Sequence, residues 1–149
     1  MNNNRAISPQ HLLQKRFKLF SFKGSLYNLL GTPEQSGHWL IYGHSGQGKT
    51  TFLLQVCLEI SKYGKCEYNT LEEGARFSMQ EAIKENKIMT IRKGNFLILD
   101  KMPIEDLKNR LRKHKSAKYI VIDSVQYTFL SLKDFWELDQ EFGHKKLFI

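Results

Sequence analysis

The chain has 149 residues and a net charge of +8, and its composition is 41% hydrophobic and 26% charged. This length allows one hydrophobic core but no second domain of ordinary size, and the composition excludes a chain too polar to fold. The apolar runs fall far short of the roughly 18 residues that cross a bilayer, and no signal-type apolar stretch follows the first residues. We therefore expect a cytoplasmic protein without membrane contact.

Residues 1–36 are predicted to form a basic lead-in segment. Apolar residues at helical spacing between positions 9 and 31, interrupted at Gly24, predict one or two short helices. A segment this basic is a candidate surface for the phosphates of DNA, although an acidic protein partner would also suit it. The cations that precede the first acidic residue are Arg5, Lys15, Arg16, Lys18 and Lys23.

From residue 37 to residue 149, apolar segments of strand length alternate with helical patterns. Strands are predicted at 38–42, 65–71, 95–100, 119–123 and 145–149, and helices beginning near Thr50, Ser78, Pro103 and Ser131. At the second helix, Ser78 and Glu81 have the spacing of a capping box. Because strands joined by helices run parallel and are covered on both faces, residues 37–149 are predicted to form an α/β fold.

The helix that begins at Pro103 combines an apolar face with a basic run. Ile104, Leu107 and Leu111 are predicted to face the core, with the basic residues on the other side. The run is either a solvated face or a second surface for phosphates. Its members are Lys108, Arg110, Arg112, Lys113, Lys115 and Lys118.

The segment Gly43-His-Ser-Gly-Gln-Gly-Lys-Thr50 matches the pattern G-x-x-x-x-G-K-T between a predicted strand and a predicted helix, the context of a phosphate-binding P-loop. Its glycines allow backbone N–H groups to curl around phosphate oxygens, and the helix that follows adds its positive end. Lys49 is expected to bridge the β- and γ-phosphates of ATP, and the Thr50 hydroxyl to bind Mg²⁺. The predicted nucleotide-binding residues are Gly43, His44, Ser45, Gly46, Gln47, Gly48, Lys49, Thr50 and Thr51.

A second motif is the segment Tyr119-Ile-Val-Ile-Asp123, which has the Walker B pattern of four apolar residues and an aspartate. Asp123 is predicted to hold Mg²⁺ at the carboxyl edge of the sheet, although a strand-end aspartate can also form a turn. Ser124 follows it, so an acid directly after Asp123 is absent. Glu72 and Glu73, at the end of the second predicted strand, are candidate catalytic bases at the same edge; otherwise they are acids at a helix entry.

Three segments together resemble the RecA-like P-loop ATPases, in particular the group of RadA/Sms, KaiC and the DnaB helicases. The resemblance covers about residues 38–149. It implies an ATP-driven motor or switch that acts on DNA in repair, recombination or replication, association into homo-oligomers, and Glu72, or else Glu73, polarising the attacking water. The segments are Gly48-Lys-Thr-Thr-Phe-Leu-Leu-Gln55, Tyr68-Asn-Thr-Leu-Glu-Glu-Gly74 and Val121-Ile-Asp-Ser-Val-Gln126.

The resemblance also implies a sheet of five parallel strands in which the last strand, at 145–149, lies between the P-loop strand and the Walker B strand. Further segments follow this strand in the family, so we expect an incomplete core with exposed apolar surface and weak ATPase activity.

Two alternatives to an ATPase remain open. One is a nucleotide-binding regulatory or loader module with little turnover; the other is a P-loop kinase, against which the position of the basic run counts.

Overall fold

The computed structural model of the chain describes residues 6–149. The two short helices predicted for the lead-in segment and the alternation of strands and helices after it are confirmed. The chain also contains two single turns of 3₁₀-helix, at Ile88–Thr90 and Val125–Thr128, and a turn of π-helix at Asp139–Gly143. The elements are α1 (Pro9–Gln14), α2 (Gly24–Leu30), β1 (Gly37–His38), α3 (Lys49–Ile60), β2 (Cys66–Thr70), α4 (Phe77–Glu85), β3 (Phe96–Asp100), α5 (Ile104–Leu111), β4 (Tyr119–Asp123), α6 (Leu132–Leu138) and β5 (Leu147–Phe148).

The five strands form one parallel sheet in the order β1-β5-β4-β2-β3. The last strand in sequence, β5, therefore lies between β1 and β4, as predicted. The register pairs Thr70 at the end of β2 with Asp123 at the end of β4. As a result, the segments that follow these two strands leave the sheet at the same edge, next to each other.

Helices cover both faces of the sheet, because successive strand residues point to opposite sides. One face carries Tyr119 and Val121 and packs against the buried side of α3. The other face carries Ile120 and packs against α5 and α6. The chain is thus an α/β protein with two cores, one on each side of a parallel sheet.

The end of the lead-in segment belongs to the first core. Phe20 is fully buried, and its ring lies 5.0 Å from that of Phe22, 5.1 Å from that of Tyr63 and 5.4 Å from that of Tyr119. Such aromatic groups bury a large apolar area and prefer these offset and edge-on arrangements. The neighbours of these two phenylalanines in sequence, Leu19, Ser21 and Lys23, are exposed. Arg5 of the predicted basic segment lies outside the described residues.

The strand predicted at 38–42 is wrong beyond its first residue. The ladder of β1 ends where the Trp39 N–H donates to the carbonyl of Phe148, at 2.8 Å. The register of β1 and β5 ends at the pair His38 and Phe148, and residues 40–42 form no strand. Leu40 and Tyr42 are consequently exposed, by 76% and 86%, where the apolar pattern had predicted burial.

The capping box predicted at Ser78 is also wrong. Helix α4 begins at Phe77, its N-cap is Arg76, and no side chain caps it. Ser78 therefore lies inside the first turn. The backbone is fixed earlier, where the Arg76 N–H donates to the carbonyl of Gly74 at 2.9 Å. A capping box does form at α6, between Ser131 and Asp134.

No helix within residues 6–149 is long and apolar enough to cross a membrane.

Candidate functional site

The loop from Gly43 to Thr50 has a backbone that only glycine adopts easily at two points. Gly46 and Gly48 have φ angles of 78° and 80°, in the left-handed region where a side chain would be strained. Gly48 is also the N-cap of α3, and no side chain caps this helix end. The first N–H groups of α3 therefore remain available to an anion at the positive end of the helix.

Lys49 reaches back across the mouth of this loop. Its Nζ donates to the carbonyl oxygens of Gly43 and His44, both at 2.9 Å. The loop is closed from the other side by Gln47, whose Oε1 accepts the N–H of His44 at 3.0 Å. That oxygen would lie 2.8 Å from a Cβ at Gly43, so the end of the Gln47 side chain would have to move to make room for one.

Asp123, at the end of β4, joins this strand to the loop. Its Oδ2 accepts a hydrogen bond from the Thr50 hydroxyl at 2.9 Å and another from the Tyr68 hydroxyl at 2.5 Å. Burial raises the pKa of Tyr68, and the nearby Asp123 raises it further, so the phenol keeps its proton and acts as a donor. Two hydroxyl groups from different elements thus hold one carboxylate oxygen.

The segment after β2 is fixed beside the same aspartate. The N–H groups of Leu71 and Glu72 both donate to the carbonyl of Asp123, at 2.7 and 3.1 Å. The Glu72 side chain is exposed, and that of Glu73 is half-buried. The segment that carries the two glutamates is therefore tied through Leu71 and Glu72 to the end of β4, at the carboxyl edge of the sheet.

A cleft of about 1030 Å³ opens between these segments. His44 and Gln47 do not line it. Seven of the nine predicted nucleotide-binding residues do line it, together with both glutamates and the aspartate. The lining members of the predicted site are Gly43, Ser45, Gly46, Gly48, Lys49, Thr50, Thr51, Glu72, Glu73 and Asp123.

The oxygen donors at this site fit Mg²⁺. Magnesium takes hard oxygen ligands and is usually held by one or two protein groups, with water and phosphate oxygens in the remaining positions. The Thr50 hydroxyl and the Asp123 carboxylate supply two such oxygens, 2.9 Å apart. Within the described part of the chain, no cluster of three histidine, cysteine or acidic residues offers a site with more protein ligands.

Sequence reasoning missed Tyr68 as a member of the site. No contiguous pattern indicates this role, because Tyr68 lies two residues before the end of β2 and reaches Asp123 only through the register that pairs β2 with β4. Two further polar side chains shape the segment that carries the glutamates. Thr70 Oγ1 accepts the N–H of Gly74 at 3.1 Å, and Asp100 Oδ1 accepts that of Ala75 at 2.9 Å.

No protein-family model matches the chain, and a search of the curated proteins gives no significant match. The observations that bear on function are therefore the loop, the strand-end aspartate and the glutamate pair.

Proposed function

We propose that the chain binds ATP with Mg²⁺ in this cleft and hydrolyses it as a RecA-like P-loop ATPase. The observation that supports the proposal best is the hydrogen bond between Thr50 and Asp123, 73 residues apart in sequence. It joins the two motifs that such a site requires, at the edge of the sheet where ligands of parallel α/β proteins bind.

Lys49 and the loop backbone are the proposed phosphate ligands. The Lys49 ammonium rests on two carbonyl oxygens, and the phosphate oxygens of ATP carry far more negative charge than these. A phosphate oxygen adds the attraction of opposite charges to the hydrogen bond, so the ammonium is expected to exchange the carbonyls for phosphate. The uncapped start of α3 and the left-handed glycines supply N–H groups to the same anion.

Thr50 and Asp123 are the residues that would hold Mg²⁺. When bound, the metal neutralises phosphate charge during transfer. Tyr68 keeps Asp123 in place by donating to its Oδ2. Its buried ring and its position in the middle of the sheet make it a positioning residue for the carboxylate.

Glu72 is the proposed general base, with Glu73 as the second choice. A base in this role accepts a proton from the attacking water and typically contributes a factor of about 10² to 10⁴ in rate. The Glu72 backbone is held at 3.1 Å from the carbonyl of Asp123, and its exposed side chain has access to water and to the cleft. The absence of an acid at position 124 leaves this role to the segment after β2.

By its resemblance to RecA-like proteins, the chain is proposed to couple ATP to DNA in repair, recombination or replication. A regulatory or loader module with little turnover remains the second candidate, because the exposed Glu72 makes no side-chain hydrogen bond among the described residues. Measuring ATP hydrolysis alone, with single-stranded DNA and with duplex DNA tests the proposal. Turnover stimulated by DNA is expected. Stoichiometric ATP binding without turnover would favour the module, and phosphate transfer to another nucleotide would indicate a kinase.

A further inference from the structure

Three of the six cations of the basic run predicted at α5 form ion pairs with carboxylates. Lys108, predicted on the solvated face, is only 5% exposed. Half of the six cations are therefore not free to meet an external anion. The pairs are Lys108 with Glu105 at 2.8 Å, Arg110 with Glu67 at 2.9 Å and Arg112 with Glu141 at 2.6 Å.

Lys118, the last residue of that run, instead lies in a groove with cations from other parts of the chain. The groove has a volume of about 660 Å³, and Arg16, Lys18, Lys118 and Lys145 line it. Glu34 is its one carboxylate. Within residues 6–149, no carboxylate oxygen lies within ion-pair distance of any of these four cations.

The groove disfavours the charged form of Lys118. Lys118 is half-buried, and its Nζ donates at 2.6 Å to Oε1 of Gln35, a neutral acceptor. Burial lowers the pKa of Lys118, and the nearby Lys18 lowers it further. An anion in the groove would supply the missing counter-charge, since it would replace repulsion between cations by attraction to each of them.

An exposed aromatic side chain lies among these cations. Phe17 lines the groove between Arg16 and Lys18 in sequence, and 51% of its surface is accessible. A positively charged groove with an exposed aromatic ring is the arrangement that binds single-stranded nucleic acid, because cations follow the phosphates and a base stacks on the ring. An acidic peptide would use the cations but has no need for the ring.

We propose that the groove lined by Arg16, Phe17, Lys18, Lys118 and Lys145 binds single-stranded nucleic acid through its phosphates and one stacked base. Lys118 and Lys145 stand just before β4 and β5, so the groove lies at the amino edge of the sheet. The proposed ATP cleft lies at the carboxyl edge. The groove is thus separate from the proposed ATP cleft, and binding of nucleic acid in the groove does not require ATP to be bound or hydrolysed.

The proposal is tested by fluorescence anisotropy with a labelled oligodeoxythymidylate of 20 nucleotides and no ATP present. The groove variant Arg16→Glu, Lys18→Glu, Lys145→Glu is compared with a control of equal charge change on exposed residues elsewhere, Arg92→Glu, Lys93→Glu, Lys113→Glu. We expect the groove variant to lose at least about tenfold in affinity and to flatten the salt dependence by about two in log–log slope, since each phosphate contact to a single strand contributes about 0.7. Thermal unfolding checks that both variants fold.

Phe17→Ala provides a test that leaves the charge unchanged. Stacking of one base on an aromatic ring corresponds to a loss of roughly five- to a hundredfold on substitution by alanine. The loss is expected for the oligodeoxythymidylate and not for a duplex of the same length, whose bases are paired. Lys49→Ala should bind the oligonucleotide as the unaltered chain does, so failure of the ATPase proposal would leave this result intact.

Two outcomes would overturn the proposal. In the first, the control variant loses as much affinity as the groove variant, which would mean that only net charge matters. In the second, a polyglutamate peptide displaces the oligonucleotide at equal charge concentration and Phe17→Ala has no effect. The groove would then be a site for an acidic protein.

Discussion

At the scale of single residues, the candidate site centres on one carboxylate oxygen. Asp123 Oδ2 accepts hydrogen bonds from Thr50 at the start of α3 and from Tyr68 in β2. A carboxylate held by two hydroxyl groups from separate elements is oriented before any ligand binds. Losing one of them should therefore change how readily Mg²⁺ is bound more than it changes whether the chain folds.

Tyr68→Phe is expected to raise the magnesium concentration needed for half-maximal ATP binding by roughly two- to tenfold, because a hydrogen bond contributes about 0.5–1.5 kcal/mol. The ring remains to fill the core. Tyr119→Phe is the matched control. The Tyr119 hydroxyl donates to Gln35 at 3.1 Å, and Tyr119 lies at the start of β4, away from Asp123 at the end of that strand. A magnesium titration in which both variants behave alike would contradict the positioning role of Tyr68.

The glutamate pair gives a second prediction. Glu72→Gln should bind ATP with nearly unchanged affinity and hydrolyse it about 10² to 10⁴ times more slowly, because an amide cannot accept the proton from water. Glu73→Gln should have the smaller effect. Steady-state turnover of the two variants separates the choices: loss only in Glu73→Gln reverses the assignment, and loss in neither argues against the RecA-like mechanism.

The local parts of this site were predictable from sequence, and the non-local part was not. The loop Gly43–Thr50 and the strand that ends at Asp123 are each a contiguous segment, and the residue pattern within each segment predicted them. The contact of Tyr68 with Asp123 depends on the β2–β4 register, which spans 55 residues and is set by packing of the whole sheet. The same reason explains why the groove cations, which come from three separate segments, were not recognised together.

At the scale of elements, the pairing partners determined where sequence patterns failed. The apolar residues after His38 have the pattern of a strand, yet the pairing of β1 with β5 stops at His38, and Leu40 and Tyr42 are exposed. Helix α5 kept its predicted apolar face, but its basic face meets acidic residues of β2 and of the π-helical turn. Amphipathic periodicity predicts the orientation of a helix but does not identify what its polar face contacts.

The ion pairs of α5 allow a matched stability test. Arg110 pairs with Glu67, which is 1% exposed, so Arg110→Ala leaves a buried carboxylate without its partner and is expected to lower the free energy of unfolding by about 3 kcal/mol. Arg112 pairs with the exposed Glu141, where water screens the interaction, so Arg112→Ala should cost much less. Urea denaturation of the two variants measures both values. Equal losses would contradict the burial argument.

At the scale of the whole molecule, the parallel sheet separates two candidate sites by placing them at opposite edges. The cleft with the loop Gly43–Thr50 and the glutamates lies at the carboxyl edge, and the basic groove at the amino edge. This arrangement follows from the parallel direction of all five strands, because every strand then enters the sheet at one edge and leaves it at the other. The α/β fold class was predictable from the alternation of strands and helices, which leaves few topologies, and the central position of β5 was implied by the resemblance to RecA-like proteins.

The central claim is that the loop Gly43–Thr50 binds ATP through Lys49. Isothermal titration calorimetry with ATP and Mg²⁺ tests it most directly, on the unaltered chain, on Lys49→Ala and on the exposed control Lys93→Ala. Losing hydrogen bonds from a charged group is worth about 1.5–3 kcal/mol each, so Lys49→Ala is expected to bind ATP roughly ten- to a hundredfold more weakly, while Lys93→Ala binds as the unaltered chain does. A folded Lys49→Ala protein with unchanged affinity for ATP would contradict the claim.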